Sequence, residues 1–533
     1  MTLRIRTNTE IPEDTATLGQ KLLKENNRYR VIGDHLPDIV GDEDFTDIYA
    51  PTGRDAVSPA LLSMVTIFQF LEDVPDREAA EMVVMRVDWK YALHLPLDYA
   101  GFHHTDLCYF RRRLVENEKE ALVFDTVLKK VKALGFLKKK SKQRTDSTHV
   151  LAVVQKLSRL ELVTETMRVT LRAIQQADES WYQQAIPAAF AEVYVETRRD
   201  YRLSDAERQA ALRQTGADGF WLLDLIARDG PPGIQTLTEV ETLRTVWEQQ
   251  YERMERQVTE RKTMIVDCKE LIVSPHETEA RSAKKRDKSW IGSKVHVTET
   301  ISDDPEQEPN FITDVTTDLA PAGDTEALGT IREHLRERDL LADQQIVDEG
   351  YISGQAIAES RAEGVELIGP ARPDPSPVGF QLADFQADPE QRRATCPAGH
   401  QPERWSEHTT SDGQCTIKAH FGSQCTGCQF FGEGKCTTSA KGRTLSFSAY
   451  YPQLAARRLE EKSEAFWETM KLRPPIEGTL SEMVRQHGLR RSRYRGLVKT
   501  HLQNLFKAAA LNLKRLIDAL LKRQRRARQA ATA

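Results

Sequence analysis

The chain has 533 residues, of which 29% are charged, and its formal net charge is −5. A chain of this length exceeds what one hydrophobic core supports, so we expect about two to four domains. No apolar run approaches the ~20 residues of a membrane span, and the segment MTLRIRTNTEIPEDT lacks the apolar centre of a signal peptide. These features argue against a membrane-spanning protein and favour a soluble protein of the cytosol.

Basic residues are unevenly distributed in spite of the negative total charge. From Met483 onward there are fourteen Lys and Arg but a single acid, Asp518. A second basic run, Lys138 to Arg144, stands just before Asp146. Local charge decides phosphate binding, because salt screens charges beyond about 10 Å. The two runs together favour nucleic-acid contact, with a solvated surface as the alternative for either run alone.

Residues 1–50 show weak periodicity and are assigned as an N-terminal arm. Residues 51–137 carry signals for short helices joined by tight turns, and the third of these ends in an arginine run, residues 111–113. Caps for the three helices are predicted at Ser58, Asp76 and Thr105. A small helical DNA-binding domain and a generic three-helix bundle both fit this pattern.

The next segment is QRTDSTHVLAVV, residues 143–154. Its Thr and Val content predicts a β-strand that carries Asp146. From residue 155 to 262 the sequence becomes helical and charged, with helix breaks predicted at Gly216 and at residues 230–232. We therefore expect a helical insertion, 155–262, after the first strand.

Strand signals return at residues 290–301 and 310–317, and an acidic turn between them predicts an antiparallel hairpin. After a helix, QQIVDEG forms a short apolar strand that ends on Asp348. A further helix and the strand VELIG complete a βαβ unit. This order predicts an α/β fold with a mixed sheet and flanking helices, in an RNase H-like arrangement that places Asp146 and Asp348 on adjacent central strands.

The last predicted elements are two helices. The first begins at Pro474-Pro475, a favoured helix start, and ends at Gly488. Its buried face is formed by residues at helical spacing: Ile476, Leu480, Met483 and His487. Glu477 projects from its first turn on another face. A carboxylate there usually pairs with the helix dipole, but beside a dense arginine cluster it also suits a metal ligand next to bound phosphate.

Three carboxylates from distant segments suit the cleavage of a phosphodiester by two metal ions. Two divalent metal ions about 3.5–4 Å apart can hold the attacking and leaving oxygens of a phosphodiester, and Mg²⁺ prefers carboxylate oxygens, water and phosphate. We predict that Asp146 bridges two Mg²⁺ (or Mn²⁺) ions and that Asp348 and Glu477 complete the two sites. The alternatives are the acids nearest to these in sequence: Asp343, Glu349 and Glu482.

Five of the seven cysteines fall between residues 396 and 436. This clustering and the odd total favour a metal site over disulfide bonds. The C-x₂-C pair, with one further cysteine on each side, matches tetrahedral thiolate ligation of Zn²⁺. Cys415 is predicted to be free, and unmetallated thiols in a loop are the alternative for the rest. The predicted ligands of a structural Zn²⁺, in a zinc-ribbon-like insertion over 385–447, are Cys396, Cys425, Cys428 and Cys436.

Five segments carry a family resemblance, and they occur in order along the chain. They are TDSTHV around Asp146, residues 274–300, VDEGY around Asp348, CPAGH with CTGC, and IEGTLSEMVRQHGLRRSRYRGLVKTHLQNL. With these segments the chain resembles bacterial insertion-sequence transposases of the DDE class, in the RNase H-like integrase superfamily. The resemblance covers roughly residues 50–520. It is to the subgroup with an N-terminal helical transposase domain and a cysteine-bearing insertion.

The chain departs from two patterns of these relatives. Related transposases often carry Tyr-x₂-Arg-x₃-Glu-x₆-Lys around the last acid. Arg473 and Glu477 are present here, whereas Met470 and Val484 replace the tyrosine and the lysine. Residues 292–294 read Gly-Ser-Lys in place of a usual Gly-Tyr-Lys.

The resemblance implies a metal-dependent enzyme that nicks DNA at the ends of an insertion sequence and transfers the freed 3′ end to target DNA. Its catalytic residues would be Asp146, Asp348 and Glu477. Its partners would be terminal inverted repeats and target DNA, bound by a homodimer on paired ends at the cytoplasmic nucleoid of a bacterium. The side chains predicted to hold DNA are Arg473, Arg485, Arg490, Arg491, Arg493, Tyr494, Arg495 and Lys499.

Two alternatives remain for the function: a nuclease of the same fold without strand transfer, and a non-catalytic, domesticated DNA-binding protein. The predicted domains are an N-terminal arm (1–50), a helical DNA-binding domain (51–137), an RNase H-like catalytic domain (138–516) with its two insertions, and a basic C-terminal tail (517–533).

Overall fold

The structure is a computed structural model of the chain. It describes all residues except 7–9, 140, 156, 197–202, 255–256, 262–266, 286, 305–307, 374–378, 410–414, 433–435 and 533. Lys140 of the predicted basic run therefore lies outside the described residues. The described helices of the N-terminal region are α1 (Glu13–Leu22), α2 (Arg28–His35), α3 (Pro59–Glu72), α4 (Asp76–Met85), α5 (Val87–Ala92), α6 (Thr105–Glu116) and α7 (Leu122–Ala133).

The remaining described helices follow the first strand. They are α8 (Arg159–Ala177), α9 (Glu179–Ala185), α10 (Ala188–Phe190), α11 (Asp205–Asp229), α12 (Pro232–Gln235), α13 (Thr238–Gln250), α14 (Asp324–Glu337), α15 (Gly354–Ala362), α16 (Tyr451–Glu460), α17 (Glu464–Met470), α18 (Pro475–Gln486) and α19 (Leu497–Thr532).

The described strands fall into one main sheet and three small ones. They are β1 (Lys142–Leu151), β2 (Tyr251–Met254), β3 (Gln257–Glu260), β4 (Arg281–Lys285), β5 (Lys288–Thr300), β6 (Ile312–Leu319), β7 (Gln344–Ile346), β8 (Glu366–Ile368), β9 (Gln386–Asp388), β10 (Arg393–Thr395), β11 (Arg404–Thr409), β12 (Cys415–His420) and β13 (Thr444–Ser448).

The main sheet is mixed, as the sequence predicted. Its strand order is β4-β5-β1-β7-β8, and β6 also pairs with β5. β1 runs antiparallel to β5 and parallel to β7, so that Asp146 lies opposite Val297 in the centre of the sheet. β1 ends at Leu151, three residues before the predicted end. β4 was not predicted, because Arg281–Lys285 is short and basic and has no alternation of apolar residues.

The N-terminal helices share one hydrophobic core with the main sheet and α19. Tyr29, Ile32 and Phe45, within the predicted arm, are buried in that core together with α3, α7, β5 and β6. α19 packs against α3, α7 and β6, and it continues through the predicted basic tail as far as Thr532. The C-terminal helix therefore joins the N-terminal helices to the sheet. No described helix is both long enough and apolar enough to cross a membrane.

The helical insertion has its own apolar core, formed mainly by α8, α11 and α13. The predicted helix break at Gly216 is wrong, because α11 runs through it from Asp205 to Asp229. A Cβ at Gly216 would lie 2.6 Å from the Tyr251 ring, and one at Gly219 would lie 2.1 Å from Trp247. These glycines let two aromatic rings approach the helix backbone, and that packing offsets their low helix propensity.

Candidate catalytic site and cysteine pocket

The two predicted catalytic aspartates lie on β1 and shortly after its parallel neighbour β7. Asp146 is in the middle of β1, and Asp348 stands two residues after the end of β7, at the start of a 3₁₀ turn, Glu349–Tyr351. The amide of Ser147 donates to Asp146 Oδ1 at 2.8 Å, and the amide of Gly350 donates to Asp348 Oδ1 at 2.8 Å. These backbone donors fix one oxygen of each carboxylate and leave the other free to interact.

Arg473 joins the third carboxylate to this pair. Its Nη2 lies 2.8 Å from Asp146 Oδ2 and 3.7 Å from Asp348 Oδ2. Its Nη1 lies 3.2 Å from Glu477 Oε1, four residues further along. Glu477 occupies the first turn of α18, as predicted, with Ile476, Leu480 and Met483 buried on the other side. The fold thus brings Asp146, Asp348 and Glu477 together around one guanidinium.

The electrostatics of this cluster favour additional positive charge. Burial raises the pKa of Asp146, and the carboxylates of Asp348 and Glu477 raise it further, whereas Arg473 and the Ser147 amide oppose the shift. The Asp146 side chain is 11% exposed and that of Glu477 is 65% exposed. The buried end of the site is therefore short of cations and the exposed end is open to a substrate.

The donor set fits a hard divalent cation, because all three side chains offer carboxylate oxygens. In the described part of the chain, however, no group of three His, Cys, Asp or Glu side chains is close enough to hold a metal ion. Arg473 lies between the carboxylates and supplies the positive charge there. A metal ion at this position would require the Arg473 guanidinium to turn away. Two features permit this movement: the Nε of Arg473 has no hydrogen-bond partner among the described residues, and the contact with Glu477 is an i,i+4 pair at the edge of the site.

A buried ionic network beneath the site was missed by the sequence analysis. Glu299 on β5 is fully buried, and its Oε1 accepts from Arg144 Nε at 2.7 Å. Its Oε2 accepts from Arg515 Nη1 of α19 at 2.9 Å and from Thr479 Oγ1 of α18 at 2.7 Å. Arg144 also donates to the carbonyl of Leu472, next to Arg473, at 2.8 Å. The available signal was strand periodicity, since Arg144 shares a face of β1 with Asp146.

A fourth carboxylate, Asp324, lies beside the predicted triad and was also missed. It begins α14, and its Oδ1 accepts from Lys294 Nζ at 2.9 Å and from Ser147 Oγ at 3.2 Å. A Cβ at Gly350 would lie 2.6 Å from Asp324 Oδ2 and 2.9 Å from Asp348 Oδ1. Glycine at position 350 therefore lets the two aspartates approach each other. Because Asp324 is already paired with Lys294, it positions Ser147 and the turn around Asp348.

The alternative acids lie elsewhere. Asp343 and Glu349 are exposed, and Glu482 accepts from Lys514 Nζ of α19 at 2.5 Å. None of the three contacts Arg473 among the described interactions. The geometry therefore favours Asp146, Asp348 and Glu477 over their neighbours in sequence.

Three of the predicted DNA-binding side chains contact the protein itself. Arg490 Nη1 donates to the carbonyl of His149 at 2.7 Å, at the end of β1. Arg493 donates to the carbonyl of Val74 at 2.7 Å, and its Nη2 pairs with Asp73 at 2.6 Å. The Tyr494 ring lies under the guanidinium of Arg111, 5.2 Å from its centre. This loop, residues 487–496, thus docks the N-terminal helices onto the end of β1.

Apart from Arg473, which lies among the carboxylates, the other predicted DNA-binding cations point outward. Arg485, Arg491, Arg495 and Lys499 are exposed. In the arginine run of α6, Arg112 is exposed, whereas Arg111 is buried against Asp76 and Arg113 donates to the Ile48 carbonyl at 2.8 Å. The dense arginine clusters therefore divide into structural members and solvent-facing ones.

The four predicted zinc ligands line one small cavity of about 20 Å³ in the second insertion, whereas Cys415 begins β12 and is not among the described residues that line it. That volume exceeds the ~10–15 Å³ that one water molecule needs. The amide of His400 donates to Cys396 Sγ at 3.3 Å, and the amide of Arg443 donates to Cys425 Sγ at 3.5 Å. The ligands predicted from spacing, Cys396, Cys425, Cys428 and Cys436, therefore face the same space.

The thiols are close enough to influence one another. Burial raises the pKa of Cys436, and the neighbouring thiols of Cys425, Cys396 and Cys428 raise it further, whereas Arg443 lowers it. Amide donors to sulfur favour the thiolate form that Zn²⁺ binds. In the described residues the four sulfurs do not close into a metal-binding group. The chemistry of the pocket therefore fits one zinc ion, although the sulfurs would have to draw together around it.

Two protein-family models match the chain. Residues 395–517 match a Transposase DDE domain, and residues 17–113 match a Transposase domain (DUF772). The first match includes Glu477 and the four pocket cysteines, but it begins after Asp146 and Asp348. No curated protein and no solved structure matches the chain. Both matched segments are therefore similar to domains of transposases.

The predicted resemblance is thereby confirmed, since both matches support an insertion-sequence transposase of the DDE class with an N-terminal transposase domain. A DDE domain implies a nuclease or transposition enzyme, and the transposase family implies a DNA substrate.

Proposed function

We propose that this protein nicks DNA at the ends of its insertion sequence and transfers the freed 3′ end to target DNA, with Asp146, Asp348 and Glu477 as the catalytic residues. The observation that carries the proposal is the convergence of these carboxylates on Arg473. They come from three distant segments, and only the tertiary fold gives them a common position. The strand order β6-β5-β1-β7-β8 supports an RNase H-like catalytic domain.

The carboxylates of Asp146, Asp348 and Glu477 would hold the divalent metal ions. Mg²⁺ or Mn²⁺ would supply activation of the attacking oxygen and stabilisation of the leaving oxygen. Arg473 would turn from the carboxylates toward a phosphate of the bound strand, because guanidinium recognises both groups in the same bidentate way. Ser147, Gly350 and the Glu299 network would keep the carboxylates in place while Arg473 moves.

The cysteine pocket would hold one structural zinc ion. Four thiolates leave no open position for a substrate, so this metal would stabilise the insertion and would take no part in the chemistry. The exposed cations Arg485, Arg491, Arg495 and Lys499 would contact phosphates of the DNA. A homodimer would hold the two ends of the element together.

The test uses labelled duplexes taken from the DNA that flanks the gene, incubated with purified protein and Mg²⁺. Nicks at the ends, and labelled products joined to a target plasmid, are expected. Asp146→Asn, Asp348→Asn and Glu477→Gln should each reduce nicking by a hundredfold or more, about 3 kcal/mol, and should leave DNA binding intact. Glu349→Gln and Glu482→Gln are the matched controls.

Near-normal nicking by any of the three triad variants would overturn the assignment of the site. Nicking without joined products would favour a nuclease of the same fold. Binding without nicking by the wild type would favour a domesticated DNA-binding protein.

A further inference from the structure

A basic β-hairpin projects from the main sheet beyond the end of β1. β5 pairs with β1 from Thr300 to Gly292, and its remaining residues pair with β4. Gly292 lies at φ +154°, and a Cβ there would be 2.0 Å from the carbonyl oxygen of Val150. The point where the hairpin leaves β1 is therefore fixed by close backbone contact.

The tip of this hairpin concentrates positive charge that makes no ion pair with an acid in the described part of the chain. Lys284, Lys285 and Lys288 are exposed, and none of the three makes an ion pair with any residue that the structure describes. Asp287 is the one described acid in the tip, and Arg286 between them lies outside the described residues.

The lysines also face each other at a cost in stability. Lys285 and Lys288 are direct cross-strand partners in the antiparallel register. Like charges in opposite positions destabilise a sheet, and a two-stranded arm without a third strand is marginal to begin with. Because the lysine pair weakens the hairpin, we expect it to serve an interaction outside the fold. An anionic ligand is the simplest partner for two exposed lysines.

The hairpin is anchored rigidly enough to present these charges. At its base the ring of Trp290 lies 5.0 Å from that of His149 on β1. Arg490 donates to the His149 carbonyl from the other side. Burial lowers the pKa of His149 to about 4, and Arg490, Lys285 and Lys288 act in the same direction. His149 therefore stays neutral, and the positive field belongs to the lysines and Arg490.

The arm points away from the catalytic aspartate along the strand direction. Asp146 lies opposite Val297, and Leu151 lies opposite Gly292. At ~3.3 Å per residue, the five steps to Leu151 and the four from Gly292 to Lys288 place the tip at most about 30 Å from Asp146. With ~3.4 Å per base step, this reach corresponds to about nine base pairs.

From this placement we infer that the β4–β5 hairpin grips the phosphate backbone of duplex DNA within about nine base pairs of the cleaved bond. The inference rests on the proposed function and adds a surface that lies outside the catalytic group and outside the predicted arginine cluster. Lys285 and Lys288 at the tip would neutralise phosphates. The Trp290–His149 pair would hold the arm at a fixed distance from Asp146.

The experiment compares Lys285→Ala/Lys288→Ala with Lys21→Ala/Lys24→Ala. The control pair is exposed at the end of α1 and likewise makes no ion pair with a described residue. Binding of each protein to a 40-base-pair flanking duplex is measured in Ca²⁺ from low to high salt. The hairpin variant should show a salt slope shallower by about 1.8, or about 0.9 per lost phosphate contact, and the control should match the wild type.

Phosphate-ethylation interference on the same duplex locates the contact. Wild-type protein should show interfering phosphates within about nine base pairs of the nick, and the hairpin variant should lose a subset of them. Unchanged melting temperature and circular dichroism should show that the variant is folded.

A hairpin variant with the wild-type salt slope and the wild-type interference pattern would overturn the inference while leaving the proposed function intact. A wild-type protein that neither binds nor nicks the duplex would overturn the proposed function instead. The two failures are therefore distinguishable.

Discussion

The proposed catalytic site and the cysteine pocket are built by opposite routes. The carboxylates of the first belong to β1, the turn after β7 and α18, and they meet only because the sheet and the helix pack together. The cysteines of the second all lie within residues 396–436, in one small insertion with its own apolar cluster. One site depends on the whole fold and the other depends on a local segment, so the two should respond differently to substitution.

The largest effect is expected from the buried network that holds the catalytic site together. Glu299→Gln leaves Arg144 and Arg515 without their shared carboxylate in a fully buried position. Loss of one partner of a buried ion pair costs about 3–5 kcal/mol, so the free energy of unfolding and the nicking rate should both fall. Chemical denaturation and the nicking assay measure the two quantities.

Glu390→Gln, an exposed acid in the cysteine-bearing insertion, is the control for this substitution. If Glu299→Gln unfolds at the wild-type denaturant concentration, the network does not hold the site and the proposed dependence on the whole fold is wrong.

A substitution in the cysteine pocket should affect the insertion that contains it and leave the main sheet folded. Cys428→Ser removes one of the four thiols that face the cavity, and zinc bound per chain should drop sharply, because metal binding is coupled to folding of the insertion. Proteolysis should then cut first within residues 385–447, while the main sheet stays protected. Metal analysis and limited proteolysis measure these outcomes.

Cys415→Ser is the matched control, since Cys415 lies on β12 outside the cavity. Full zinc occupancy in Cys428→Ser, or equal loss in Cys415→Ser, would show that the pocket is not the zinc site.

A smaller effect is expected from the cation at the centre of the catalytic site. Arg473→Gln removes the positive charge that lies between Asp146, Asp348 and Glu477. The variant should be less stable without metal because the carboxylates then repel each other, and Mg²⁺ should stabilise it more than the wild type. Saturation at a hundred times Kd would supply about 2.7 kcal/mol, which thermal melting with and without Mg²⁺ detects.

Lys471→Gln, two residues away and paired only with Glu468 among its described contacts, is the control. An identical Mg²⁺ response in Arg473→Gln and the wild type would show that the guanidinium does not compete with metal at this position.

The smallest effect is expected in the loop 487–496, which docks the N-terminal helices onto the end of β1. Arg491 is exposed, whereas Arg493 contacts Val74 and Asp73. Arg491→Gln should make the salt slope of DNA binding shallower by about 0.9 without changing stability. Arg493→Gln should instead lower the free energy of unfolding by about 1 kcal/mol. The reverse pattern would contradict the division of this cluster.

The sequence by itself determined the features that depend on local chemistry. Pro474-Pro475 and the 4-3-4 spacing of apolar residues identified α18 and placed Glu477 in its first turn. The spacing of Cys396, Cys425, Cys428 and Cys436 identified side chains that line one cavity. Thr and Val content placed Asp146 on a strand, and the order of the elements predicted that this strand is central. Such signals are readable because helix caps, strand periodicity and metal-ligand turns are set by residues close together in the chain.

Only the tertiary structure decided which charged residues serve the fold and which face solvent. Arg490 and Arg491 are neighbours in sequence, yet one is bonded to the end of β1 and the other is exposed. Arg473 was predicted to hold DNA phosphate, and only the fold shows that it lies among the three carboxylates. α11 continues through Gly216, because the ring of Tyr251, 35 residues further along the chain, packs against this glycine. The partners of these residues lie dozens to hundreds of positions away, and no local pattern encodes a contact whose other half is fixed by the folding of the whole chain.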